Sequence, residues 1–358
     1  MKIAILWSHL SGYLNACLHA LADNHDAALF VSYQTESDEA PFDATEFAWL
    51  THHYRFAEAP DGPELLRQLQ RFQPDVLLVG SWHVDGYRHV LKHFRGRAVR
   101  ILFMDNQWLG TLKQRLGSIV APWYIQPLYE AVFLPGERQA VFAKKLGFHD
   151  RNIIRGGYTC DHTRFAAVRK QRTTRSDGYP PAFMYAGRFT EKKGIRTLIQ
   201  AYERYRSEVT DPFDLLCCGE GDLRSKLEKV KGIRVAGFLQ PSELPGKFLE
   251  ASCLVLPSTF EPWGVVIHEA TAAGMAVICS STCGAMVHLV QPGYNGYVVE
   301  PGNVDDLARA MLRYSTLDVG KRSRMSEHSY TLSLQFTPAQ WATDLISFAV
   351  EHRVIEAE

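Results

Sequence analysis

At 358 residues the chain has room for two domains of ordinary size, each with its own core. Its apolar fraction of 46% and charged fraction of 22% are those of a soluble globular protein, and 39 Lys and Arg against 39 Asp and Glu leave no formal net charge. That balance gives no bulk electrostatic case for nucleic acid or a strongly anionic partner, and no apolar run approaches membrane-spanning length.

Strand and helix patterns alternate from end to end, which predicts parallel α/β layers. Residues 3–7 read as a first strand, and the N-terminus ahead of them is too short for a secretion signal. A helix is expected over 13–22, a strand over 27–33, and a polar irregular stretch over 38–47. Pro63 opens a helix over 63–72. A buried strand at 76–79, a helix at 86–94, a strand at 99–103 and a helix at 108–116 follow. Residues 131–134 form a strand, and the helix over 139–146 stops at Gly147. Between Asp161 and Pro181 the composition shifts to Lys, Arg, Thr, Ser and a Pro-Pro pair, which reads as an interdomain linker with a boundary near 165.

The second half continues with strands at 182–186, 213–218, 233–235, 253–256 and 276–280. Helices are expected over 195–205, 223–230, 242–251, 264–273, 305–314, 321–331 and 338–352, with Asn303 as an N-cap. The seven cysteines lack C-x-x-C spacing and read as buried reduced thiols of a cytoplasmic protein. The fourteen histidines are scattered and no metal-ligand cluster stands out.

The second half is organised around Ser258-Thr259-Phe260-Glu261-Pro262-Trp263-Gly264-Val265-Val266-Ile267-His268-Glu269-Ala270. A loop at the C-terminal end of a buried strand gives way here to a helix, whose first N–H groups and positive dipole end suit a phosphate. Gly264 lets such a group approach the backbone. Glu261 stands in the loop and Glu269 more than one turn into the helix, so the two contact different parts of one ligand. Arg188 and Lys193, in Gly187-Arg188-Phe189-Thr190-Glu191-Lys192-Lys193-Gly194, follow another strand at its C-terminal end. A guanidinium fork and a mobile ammonium there suit a diphosphate; the bland alternative is a solvated Glu-Lys-Lys turn. Gly219-Glu220-Gly221-Asp222 lies between a strand and a helix, where a tight turn explains it equally well.

In order and spacing, these segments resemble the retaining glycosyltransferases of family 4: the E-x7-E stretch, the G-R-x4-K-G element at 187–194, the G-x-G segment at 219–221, Ala273-Gly274-Met275-Ala276-Val277 and Asn295-Gly296-Tyr297-Val298-Val299. Ala276 stands where that family has Pro. The resemblance covers most of the C-terminal half. It implies the GT-B fold, with two Rossmann-like domains, a cleft between them and a C-terminal helix crossing back to the first domain. The expected division is 1–165 for acceptor binding, 166–335 for the nucleotide sugar, and 336–358 for the returning helix.

The resemblance further implies that Arg188 and Lys193 hold the donor diphosphate, that Glu269 binds the ribose hydroxyls, and that Glu261 contacts the transferred sugar. The N–H groups of Gly264 and Val265 meet phosphate or sugar, Gly219 and Gly221 line the nucleotide side, and Phe238 and Leu239 stand where the family cradles the base. Trp263 replaces the usual Phe; it packs the loop or stacks on the sugar. In the first half, Gly12 admits the diphosphate or sugar, though the loop has one glycine where many members have two. His83 is placed like the family histidine facing the donor sugar, with a purely structural role as its alternative. Asp105 accepts the proton of an acceptor hydroxyl or caps the following helix. Arg88, Lys92, Arg95, Arg97 and Arg100, with His89 and His93, form a local basic run. Such a run is usually a solvated face, so at most peripheral membrane contact is expected.

The resemblance implies metal-independent, retaining transfer of a sugar from a nucleotide diphosphate sugar to an acceptor hydroxyl, without a cofactor. A nucleotide-sugar epimerase or hydrolase of the same fold is the alternative enzyme. A non-catalytic partner subunit predicts loss of the donor-site residues, all of which are present here. Sugar, base, acceptor and oligomeric state are left open by the motifs.

Overall fold

Runs such as Val76–Val79 and Cys253–Leu256 are buried along their whole length, as strands of a parallel sheet covered on both faces must be. The computed structural model describes residues 1–33, 44–55, 62–174 and 179–355. Of the polar stretch expected at 38–47, residues 38–43 lie outside the described residues, and Ala44–Phe47 forms a 3₁₀ turn. The chain divides into two units, Met1–Thr159 with Pro338–Glu358, and Cys160–Thr337.

The first unit contains strands β1 (Lys2–Trp7), β2 (Ala28–Tyr33), β3 (His53–Arg55), β4 (Val76–Val79), β5 (Val99–Phe103), β6 (Ala131–Phe133) and β7 (Ile153–Ile154), in sheet order β3-β2-β1-β4-β5-β6-β7. Every pairing is parallel. Alternate side chains feed two apolar clusters, so that Ala4, Leu6 and Leu77 enter one while Ile3, Ile5 and Leu78 enter the other. Helix Pro338–Ile355 belongs to this unit: Trp341 stacks on Phe133 at 5.4 Å, and its Nε1 donates to the Gly157 carbonyl over 2.9 Å. The sheet order reverses between β1 and β4, so the loops after these two strands open side by side.

Two sequence expectations fail in this unit for identifiable reasons. The helix expected at 108–116 instead spans Leu112–Tyr124, because Thr111 is its N-cap, the hydroxyl accepting from the Gln114 N–H over 3.3 Å. The basic run is not one solvated face. Arg100 is 3% exposed and forms an ion pair with Glu130, and its Nη1 donates to the Leu91 carbonyl over 3.2 Å. Arg88 lies over the Tyr124 ring at 3.8 Å.

The second unit contains β8 (Ala182–Ala186), β9 (Asp214–Cys218), β10 (Ile233–Gly237), β11 (Cys253–Leu256), β12 (Ala276–Ser280) and β13 (Gly296–Val299), in order β10-β9-β8-β11-β12-β13, all parallel. Here the order reverses between β8 and β11. The expected N-cap Asn303 starts helix Val304–Ser315, its side chain accepting from the Asp306 N–H over 3.0 Å. The helices expected at 223–230 and 242–251 shrink to Arg224–Leu227 and Leu244–Phe248.

The units divide at Thr159–Cys160, ahead of the boundary expected near 165. Much of the expected linker is helix His162–Thr174, anchored by the buried Arg172. Its guanidinium donates to the carbonyls of Ala251 at 2.8 Å, Phe248 at 2.5 Å and Ala273 at 3.3 Å. A residue that reads as surface charge thus ties one helix to three carbonyls on two distant segments. Arg172→Met strands these carbonyls, and the urea midpoint is expected to fall by the equivalent of about 3 kcal/mol. An unchanged midpoint would show the anchor to be dispensable.

Among the described residues no helix is long and apolar enough to cross a membrane, and no group of three or more His, Cys, Asp and Glu could hold a metal ion.

Candidate functional site

The reversal of strand order in the second unit sets the loop after β8 beside the loop after β11. Their backbones are stitched together. The Lys192 carbonyl accepts from the Thr259 N–H at 2.9 Å and from the Thr259 hydroxyl at 3.1 Å. Gly194 has φ +73, and a Cβ there would stand 2.1 Å from the Pro257 carbonyl oxygen, so only glycine allows this approach. The stitching delivers the Lys193 ammonium to Glu261, with Nζ 2.5 Å from Oε2. The Ser258 hydroxyl donates to the same oxygen over 3.3 Å. The pair is partly buried, at 19% and 9% side-chain exposure, which strengthens it over a surface ion pair.

Tyr185, buried at the end of β8, donates its hydroxyl to the Arg188 carbonyl over 2.7 Å. Burial holds its phenol well above the usual range. The Glu261 carboxylate adds to that shift and the Arg188 guanidinium opposes it, so both charged groups act on one phenol. Arg188 is exposed, as is Lys192, the bland member of its turn.

Helix Val265–Ala272 begins at Gly264, without a side-chain cap. The Glu261 carbonyl accepts from the Gly284 N–H at 3.1 Å, and Ser280 and Thr282 both donate to the Ser258 carbonyl, which fixes the loop ahead of the helix. Trp263 is 2% exposed and its ring packs against Phe336 and His288, at 5.7 and 5.8 Å between centroids. Stacking of this ring on a sugar is therefore corrected: the indole packs the loop from below. His268 is fully buried. Its Nδ1 accepts from the Cys160 N–H at 3.0 Å and its Nε2 lies 3.0 Å from the Ser333 carbonyl. Burial pushes its pKa down to about 3, so the ring is a neutral clamp that holds the helix in place. Glu269 follows it and keeps partial exposure. Desolvation, reinforced by the Asp161 carboxylate, pushes its carboxyl up to about 7.

Gly219 and Gly221 flank Glu220, which pairs with Arg224. The Gly219 N–H donates to the Gly237 carbonyl at 2.7 Å, and a Cβ on Gly219 would stand 2.0 Å from the Gly187 oxygen. The G-x-G segment is thereby pressed between the loops after β8 and β10. Phe238 and Leu239, just past β10, are half-buried. Arg188, Lys193, Gly219, Gly221, Phe238, Leu239, Glu261, Gly264, Val265 and Glu269 thus all stand at or beyond the C-terminal ends of β8 to β11.

In the first unit, Gly12 opens helix Gly12–His25, which Ser11 caps by accepting from the Leu14 N–H. His83 is exposed beside Trp82. Desolvation and the nearby Lys113 and Arg88 charges lower its pKa, which favours a neutral ring. Asp105 is not the cap of the next helix, since Thr111 is. Its Oδ2 accepts from the Tyr158 hydroxyl at 3.4 Å. Gly12, His83 and Asp105 follow β1, β4 and β5 of one sheet.

Sequence reasoning passed over Ser258, Tyr185, Asp161 and His268. The first three carry no pattern that separates them from ordinary loop and strand residues. His268 sits inside the E-x7-E stretch, where its burial has no local signature.

Residues 169–332 match the family model described as Glycosyl transferases group 1. An uncharacterised glycosyltransferase of Methanocaldococcus jannaschii is 35% identical over 136 residues, which is 35% of this chain and 33% of that protein. The glycogen synthase of Mycobacterium tuberculosis is 30% identical over 57% of this chain and 50% of its own length. The chain thus spans half or less of these two relatives. Among solved structures, Anabaena HepE in complex with UDP and glucose superimposes with a TM-score of 0.74 at 16% identity, covering 98% of this chain and 100% of that one. The fold is GT-B, as expected from the motifs.

Proposed function

We propose, for a chain whose residues 169–332 match the Glycosyl transferases group 1 model, that it moves a sugar from a nucleotide diphosphate sugar to an acceptor hydroxyl with retention at the anomeric carbon. The observation that carries this reading is the Lys193–Glu261 pair at the strand-order reversal of the second unit, with Arg188 on the same loop as Lys193. An ammonium and a guanidinium neutralise charge on a departing diphosphate, and stabilising that leaving group lowers the barrier more than any other single effect in this chemistry. When the donor binds, Lys193 exchanges its carboxylate for phosphate oxygen. Glu261 is then released to accept hydroxyl bonds from the sugar or to stabilise positive charge at its anomeric carbon.

The bond from the anomeric carbon to the diphosphate oxygen breaks, and the bond to the acceptor oxygen forms on the same face. The acceptor proton passes to the departing diphosphate. The products are a glycoside and a nucleoside diphosphate, and the two cations supply the charge that a metal ion supplies elsewhere. All seven cysteines are buried thiols, which fits a reducing compartment such as the cytoplasm.

HepE is seen with UDP and glucose, so UDP-glucose is the first donor to test within a panel of nucleotide sugars. Donor binding is expected to raise the melting temperature. Product analysis with and without acceptor separates transfer from epimerisation or hydrolysis, and the anomeric configuration of the product tests retention. Inverted product would overturn the retaining assignment.

Glu269 provides a second test. A carboxylate accepts from both ribose hydroxyls, so Glu269→Gln is expected to weaken binding of an intact nucleotide sugar about ten- to a hundredfold. In the parent, affinity falls as pH drops through about 7, because the protonated acid loses an acceptor. Stability moves the other way. The folded carboxyl holds its proton more tightly than the unfolded one, so stability falls as pH rises from the usual glutamate range through about 7. Glu269→Gln should therefore match the parent at pH 4 and exceed it at pH 8. Unchanged nucleotide binding by this variant would remove the ribose role.

A further inference from the structure

We propose that helix Leu112–Tyr124 docks the protein on the surface of an anionic lipid bilayer. Leu112, Leu116, Ile119, Val120 and Trp123 are 73%, 58%, 63%, 54% and 76% exposed. Their spacing puts them on one face of the helix. Only Ala121 of this helix is fully buried, so the apolar stripe faces water instead of its own core. Single exposed leucines are ordinary on a soluble protein, but a continuous stripe of this kind marks an interaction surface.

The charges around the stripe say what covers it. Lys113 and Arg115 stand exposed in the first turn. Arg88 lies over the Tyr124 ring. Between Asp105 and Glu130 the sequence holds no acidic residue. A stripe of Leu and Ile, a Trp at one end and cations along the flank match the acyl boundary, the interfacial zone and the anionic headgroups of a bilayer. At 13 residues the helix is about 20 Å long, enough to lie in the interface and too short to cross it. A second copy of the chain is a poorer occupant, because a two-fold contact sets the same cationic patch against itself. The inference stands apart from the proposed activity, since its test reads lipid binding alone.

The full chain is floated with phosphatidylcholine vesicles with and without phosphatidylglycerol. Flotation is expected only with the anionic lipid, and to weaken as salt is raised. Leu116→Glu/Ile119→Glu, at exposed positions that leave the core intact, is expected to stay with the unbound protein at an unchanged melting temperature. Lys113→Gln/Arg115→Gln is expected to bind about 25-fold more weakly, at roughly fivefold per cation. Failure of the parent to float, or flotation of both variants equal to the parent's, would overturn the proposal. So would a concentration-dependent dimer that Leu116→Glu/Ile119→Glu dissolves, which would make a second copy the occupant.

Discussion

Lys193→Ala is expected to lower kcat/KM for sugar transfer about a hundred- to a thousandfold, the cost of removing one preorganised group from developing negative charge. The ammonium is aimed by a backbone junction, since Lys192 is bonded to Thr259 and Gly194 packs on Pro257. A replacement cation from solvent would lack that aim. The substitution also strands Glu261, whose side chain is 9% exposed and retains the Ser258 hydroxyl as a partner. A loss of about 1–2 kcal/mol in stability should follow, less than for a fully buried pair because Lys193 itself is partly solvated. Lys193→Ala/Glu261→Gln removes the stranded charge. Its melting temperature is expected to return towards the parent while activity stays low, which separates chemistry from folding. Parent-like turnover by purified Lys193→Ala would remove the diphosphate role.

Gly194→Ala should be among the most damaging single-methyl additions at the site. The new Cβ would sit 2.1 Å from the Pro257 oxygen at a φ of +73, so the loops after β8 and β11 must part. Steric displacement of backbone together with left-handed strain is expected to cost about 3 kcal/mol or more, read as a fall in the urea midpoint with transfer lost alongside. Gly246→Ala is the matched control. A Cβ there meets nothing within 4 Å, and its effect should stay within about 0.5 kcal/mol. Equal behaviour of the two variants would show that the junction does not depend on glycine.

What the sequence made legible was chemistry written in consecutive residues. Glu261, Gly264 and Glu269 are fixed by one strand–loop–helix step, and Arg188 and Lys193 by another. Their meeting depends only on which strands are neighbours, and β8 beside β11 satisfies it. What could not be read was decided by distant partners. Arg172 looks like linker charge until the carbonyls of Phe248, Ala251 and Ala273 surround it. Arg100 looks like part of a basic face until Glu130 claims it. Trp263 offers an aromatic face in the sequence, and Phe336, far along the chain, takes it. The helix expected at 108–116 gives no sign that the apolar residues of Leu112–Tyr124 mostly face water.

The helix Pro338–Ile355 has a consequence for how the molecule is born. Trp341, Leu345 and Ala349 complete the apolar cluster that Ile3 and Ile5 begin, so the first unit is started first and finished last during synthesis. A nascent chain paused after Thr159 lacks the Trp341 ring that stacks on Phe133, because that helix has not yet left the ribosome. The second unit, continuous in sequence, has every strand and helix in hand before that helix emerges. Early chaperone occupancy is expected on the amino-terminal half, with release as helix Pro338–Ile355 arrives.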